Sequence, residues 1–258
     1  MGVYFIYKDS LKLNKTISKI EMRVAGAKGG ISGGTYESLS NVNKEALKDN
    51  EIFKTVISPY GLNPIGEQTG PDKYDLRKVK YDMTSKNWIG PFIMAAINTK
   101  IVRRSNALSG YLYGKDFEYD EATLGGKGFS GRLKSILMSI PIAIVMLAKP
   151  GSIIKKIVDK ILPSAGEGPS KKDRENGYFN LRFYVTYKDG SSSIAKVTGD
   201  MDPGYGSTSK MLSESAICLA IDKLDTLDGV ITPSTAMGEN LLKRLKNKSG
   251  LTFNIKHL

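Results

Sequence analysis

Apolar residues recur along the chain in two distinct periods. In residues 2–13, Val3, Ile6 and Tyr7 fall on one side of a helix. From 17 to 25, Ile17, Lys19, Glu21 and Arg23 alternate with Ser18, Ile20, Met22 and Val24, the period of two that a half-buried strand requires. A glycine run (Gly26, Gly29, Gly30, Gly33, Gly34) follows, and 35–48 then carries Leu39, Val42, Ala46 and Leu47 at helical spacing. The order is strand, tight loop, helix. Residues 58–82 are rich in proline, glycine and charge and predict a long irregular connection over the surface. Trp88, Ile89, Pro91, Phe92 and the residues at 94–97 predict a helix that runs on into Val102 and Asn106, and 116–123 (DFEYDEAT) alternates as a strand.

Residues 136–148 (ILMSIPIAIVMLA) hold no charge and are interrupted by Pro141. Crossing the hydrocarbon takes about 20 apolar residues, so this run is too short to span alone. In 153–162, Ile153, Ile154, Ile157, Val158, Ile161 and Leu162 form one stripe with Lys155, Lys156, Asp159 and Lys160 opposite, a basic amphipathic helix. Joined at Lys149, Pro150 and Gly151, the two helices make a hairpin. Two readings of it stay open: one lying in a membrane interface, the other packed on the protein's own core.

Residues 163–177 predict a loop. The segments 178–187 and 191–198 flank Lys188, Asp189 and Gly190, and Asp-Gly tolerates the positive dihedrals of a tight hairpin, so an antiparallel pair is expected. The stretch 209–224 is helical, with Leu212, Ala216, Leu219, Ala220 and Lys223 on one face and caps drawn from 207–209. Thr232 before Pro233 has the form of an N-cap with proline at the first helical position, Gly250 ends that helix, and 251–256 closes as a strand. The fold class is α+β: a mixed, partly antiparallel sheet with helices on one face, in one domain over 1–258 with an apolar and basic helical hairpin inserted at 133–162.

Composition narrows the chemistry. With 258 residues a sizeable core needs no staple. One cysteine, Cys218, excludes a disulfide framework or a thiolate-rich zinc site, and one histidine, His257, disfavours a Ser-His-Asp triad. Cys218 itself is most simply a small core residue. The net charge of +12 comes from lysines scattered along the chain, with no arginine-rich run or zinc-finger spacing, so nucleic acid is not an expected partner. The first residues lack the pattern of a secretory leader. A cytoplasmic location is expected; if the hairpin lies in an interface, the protein is membrane- or lipid-associated, and a noncatalytic membrane-surface module is the alternative function.

Three groups of residues are candidates for function. The glycine cluster VAGAKGGISGGT matches neither G-x-G-x-x-G nor G-x-x-x-x-G-K-[ST]. It is either a tight turn into a glycine-capped helix or a place where a carboxylate or phosphate approaches the Gly33, Gly34 and Thr35 backbone. Arg103 and Arg104, followed by Asn106, suit carboxylate or phosphate recognition or a surface salt bridge. In GDMDPGYG, Asp202, Gly204 and Tyr205 form a turn into a helix, where either Asp202 caps and Tyr205 packs or one of the two does acid-base work.

The blocks GGISGGT, VRRSNAL with GYLYG, AGEGPS ahead of ENGYF, GDMDPGYGSTSKML and GVITPSTAMGENLLKRL occur in this order over nearly the whole chain. In these blocks the chain resembles the saccharopine dehydrogenase-like oxidoreductases, which include the trans-acting enoyl reductases of bacterial lipid synthesis. The resemblance implies an NAD(P)-binding Rossmann domain ahead of the α+β region, and this sequence, beginning at GVYF, is similar to the point just after it. No cofactor is therefore expected on this chain. The implied partners are an N-terminal Rossmann half, missing or on a separate chain, and a second copy in a homo-oligomer. The implied substrate is acyl or lipid-like, and catalysis by the chain alone is not expected. By the same resemblance Gly33, Gly34 and Thr35 lie toward the substrate cleft and Gly204 and Tyr205 near the interdomain cleft. Arg103, Arg104 and Asn106 match a block whose role the resemblance does not supply.

Overall fold

A computed structural model describes residues 1–29, 33–147, 151–161, 166–224 and 228–258, with backbone alone at 146 and 147. In chain order the elements are α1 (Gly2–Lys12), β1 (Ile17–Lys28), α2 (Gly33–Ala46), α3 (Asn50–Ile57), β2 (Lys80–Asp82), β3 (Asn87–Gly90), α4 (Ala95–Leu108), β4 (Glu118–Gly126), α5 (Gly128–Leu147), α6 (Ile153–Ile161), α7 (Lys171–Glu175), β5 (Tyr178–Tyr187), β6 (Ser192–Gly199), α8 (Gly206–Ile221), α9 (Pro233–Lys248) and β7 (Leu251–His257). The strands form one sheet in the order β2-β3-β4-β1-β5-β6-β7. The β1/β4 pair is parallel and the other neighbours are antiparallel, so the fold is α+β with a mixed sheet.

The core lies on one face. Ile20, Met22 and Val24 of β1, Phe183 and Val185 of β5 and Ala195 and Val197 of β6 pack with Val3 and Ile6 of α1, Cys218 of α8 and Leu241 and Leu245 of α9. Successive strand residues point to opposite faces, so Arg182, Lys196, Asn254 and Lys256, which alternate with core residues, stand exposed on the other side. Ile17 has the wrong parity for the core, yet it is buried there. A register shift between Ile17 and Lys19 turns it inward.

Several expectations need correction. Trp88 and Ile89 belong to strand β3 rather than a helix, because Gly90 and Pro91 break the run before α4 begins at Ala95. Residues 163–177 are not wholly loop: Ser170 caps the short helix α7, its hydroxyl accepting from the Asp173 amide at 3.2 Å. The 58–82 connection does not simply cover the surface, since Tyr60 and Asn63 are buried in it. The polar side of β1 is not half-solvated either, because Glu21 and Arg23 are both buried. The face of α8 that carries Leu212, Ala216, Leu219 and Ala220 is exposed, while Cys218 on the opposite side reaches the core. Of the joint between α5 and α6, Lys149 and Pro150 lie outside the described residues, as do Leu162 and Gly30.

Candidate functional site

The C-terminal end of β1 is where the glycine run meets the turn before α8. Gly29, at φ +145, lies directly against the Cβ of Asp202, which leaves no room for a side chain and requires a glycine. Asp202 is fully buried and acts as the organiser of this turn. Its Oδ2 accepts from the amides of Gly204 and Tyr205, each at 2.9 Å, and its Oδ1 accepts from Gly206 at 2.7 Å. The three amides that open α8 are thereby satisfied by one carboxylate. The expected caps at 207–209 do not serve this purpose, since Ser207 and Ser209 donate their hydroxyls to the carbonyls of Met201 and Gly206.

Tyr205 extends from this turn, its ring against Gly168 and its hydroxyl donating to the Glu167 carbonyl at 3.1 Å. The amide of Gly33, first residue of α2, donates to the same carbonyl at 3.1 Å. Gly34 faces open space, and Thr35 follows in the first turn of α2. Beside Tyr205 a cleft of about 380 Å³ is lined by Lys171, Arg174 and Glu175 of α7 and by Ser209 and Lys210 of α8. Lys210 is held at 3.0 Å by both carboxylate oxygens of Asp200. A phenol with Lys171 and Arg174 beside it suits an anionic or carbonyl-bearing ligand.

The other predicted residues sit elsewhere. Asn106 binds the Gly114 carbonyl at 2.8 Å and the Tyr113 amide at 2.9 Å, and Gly114 lies near the Ile17 backbone, at the N-terminal end of β1. About 35 Å of strand separates that end from Lys28. Arg103 donates to Asp72 at 2.6 Å, to the Pro59 carbonyl at 3.0 Å and to the Tyr119 carbonyl at 3.1 Å, and it lies over the Tyr60 ring. Arg104 donates to the carbonyls of Leu62 and Val230. These side chains tie the 58–82 connection and the loop before β4 to α4. Among the described residues the structure brings together Gly33, Gly34, Thr35, Asp202, Gly204 and Tyr205, but leaves Arg103, Arg104 and Asn106 apart.

Two buried polar groups were not singled out in the sequence. Glu121 accepts from the Tyr119 hydroxyl at 2.7 Å and from Asn98 at 3.0 Å, and burial pushes its carboxyl up to about 7. The alternation of Phe117, Tyr119 and Glu121 on one face of DFEYDEAT contained that signal: an acid on an aromatic stripe. Arg23 lies among Glu21 and Asp82, each at 3.0 Å, and Asp120. Burial opposes ionisation of Asp82, but its bonds from Arg23 and Ser85 prevail and hold its carboxyl below the usual range.

Searches by sequence place these features among known proteins. A Mycobacterium tuberculosis protein assigned as a trans-acting enoyl reductase is 36% identical over 238 residues, which cover 86% of this chain and 56% of that protein. The trans-acting enoyl reductases of Mycobacterium ulcerans and Mycobacterium leprae are 35% and 33% identical, over 83% of this chain and 54% of each relative. The chain thus spans about half the length of the curated relatives it matches. No protein-family model matches it, and no solved structure matches it.

Proposed function

We propose that this chain is the substrate-side portion of an oxidoreductase of the trans-acting enoyl reductase type, with saccharopine dehydrogenase-like architecture, acting on an unsaturated acyl substrate. The similarity to proteins of that name supports the reaction class. The observation that supports this placement is the convergence of Gly33 and Tyr205 on the Glu167 carbonyl, with Tyr205 also lining the cleft between α7 and α8.

The nicotinamide cofactor belongs, in this reading, to a Rossmann half outside the chain. The described residues do not fit a dinucleotide. The Gly33 amide, the first at the α2 N-terminus, is already taken by the Glu167 carbonyl, and the strand–loop–helix it belongs to lacks the glycine spacing that lets a pyrophosphate approach. A nicotinamide held by that Rossmann half would supply the hydride of an enoyl reduction. This chain's residues bind and orient the acyl group. The Tyr205 hydroxyl, on exchanging the Glu167 carbonyl for the acyl oxygen as its acceptor, orients the acyl group, and Lys171 and Arg174 draw in the anionic part of the substrate's carrier.

The test is a titration of the purified chain with NADPH, followed by nicotinamide fluorescence, alone and after adding the complementary N-terminal half. No binding by the chain alone, and binding with reduction of an enoyl thioester once the half is supplied, is the expected result. Tight NADPH binding by the isolated chain overturns the reading.

A further inference from the structure

α5 is built inside out. Gly131, Ser135 and Ser139 recur every four residues and face the sheet: Gly131 against the backbone of Gly126, Ser135 against Gly125, Ser139 against Gly90. Ser135 is 1% exposed. The apolar residues point the other way, with Phe129 79% and Leu137 57% exposed and Leu133, Ile140 and Ile144 outward beside them. A helix on a water-facing surface has the opposite arrangement, apolar side inward. α6 extends the patch, because Val158 is buried while Ile153, Ile157 and Ile161 are exposed.

Charge identifies what meets this surface. Among the described residues between 127 and 161 the cations Lys127, Arg132, Lys134, Lys155, Lys156 and Lys160 stand against one acid, Asp159, which is already engaged by Lys155 and by the Tyr36 hydroxyl at 2.6 Å. Protein interfaces are depleted in lysine and centre on aromatic and arginine anchors. An aliphatic stripe bordered by lysines is instead the pattern of a helix lying in an anionic lipid interface. α5 among the described residues is long and apolar enough by composition to cross a bilayer. Its Gly131, Ser135 and Ser139 side, however, is fastened to β3 and β4, so it lies along the membrane plane.

We propose that α5 and α6 form a monotopic docking surface by which the protein sits on an anionic bilayer, a property independent of the reductase reading. The test is co-flotation of the full chain with phosphatidylcholine vesicles, with and without phosphatidylglycerol. The chain floats with the anionic vesicles, and high salt weakens this. L137D combined with I144D, at exposed positions that leave the melting temperature unchanged, lowers partitioning at least about tenfold. Each of K134Q, K156Q and K160Q lowers it about fivefold on anionic vesicles only. Absence of flotation, flotation unchanged by L137D and I144D, or a stable dimer in solution that these substitutions split would each overturn the proposal, the last by assigning the face to a second copy.

Discussion

Gly33 and Tyr205 donate to one and the same acceptor, the main-chain carbonyl of Glu167, each at 3.1 Å. Three segments far apart in sequence are pinned there: the start of α2, the loop before α7 and the turn before α8. The pin is only as rigid as the turn that aims Tyr205, and that turn is organised by Asp202.

Replacing Asp202 with Ala strips three amides of their acceptor in a site without solvent access. Chemical denaturation is expected to show a loss of about 2–3 kcal/mol, larger than that of an exposed cap. Tyr205→Phe, which removes one partly exposed bond, costs less than about 1 kcal/mol. Equal losses for the two variants would mean that Asp202 does not organise the turn.

Glu121 makes stability depend on pH with a definite sign. Its carboxyl titrates near 7 in the fold and at the ordinary 4.5 in the unfolded chain, so the native state binds the proton more tightly. The contribution of Glu121 to stability is then greatest below about 4.5 and is lost as pH rises through 7, by about 3 kcal/mol in all. Glu121→Gln keeps an acceptor for the Tyr119 hydroxyl and carries no charge. Its melting temperature relative to the wild type is expected to rise between pH 5 and pH 8, and a constant difference across that range would contradict the assignment.

Arg23 is buried with Glu21 and Asp82, and with Asp120 as a half-exposed third partner. Arg23→Met leaves buried carboxylates without their cation, with an expected loss of about 3–5 kcal/mol by denaturant titration. Arg23→Lys recovers little of it, since an ammonium cannot reproduce the fork that reaches three carboxylates at once. Full recovery by lysine would reduce the cluster to simple charge balance.

Local chemistry made much of the chain legible. Lys188-Asp189-Gly190 required a tight turn, Gly190 has φ +83, and strands 178–187 and 192–199 pair as the flanking patterns indicate. Thr232 before Pro233 starts α9, although the Thr232 hydroxyl bonds Ser105 at 2.7 Å rather than capping the helix. The helix of 153–161 was equally plain from its stripe of isoleucines. What misled was periodicity taken as burial. The even stripe on α8 and the polar parity of β1 each have a regular pattern, and the pattern alone does not tell which side meets protein.

Sequence by itself determined most of the longer elements, the hairpin turn and the α+β class, because propensity and turn dihedrals act over a few residues; it missed α3, β2, β3 and α7. It also held the ordered blocks on which the resemblance to the enoyl reductases rests. Only the tertiary structure decided that Arg103, Arg104 and Asn106 lie a strand's length from Gly33 and Tyr205, that Arg23 is buried, and that α5 turns its apolar side outward. Those outcomes depend on which strand lies beside β1 and on where glycines let α5 approach the sheet. They are set by contacts between segments distant in sequence, which no local pattern encodes.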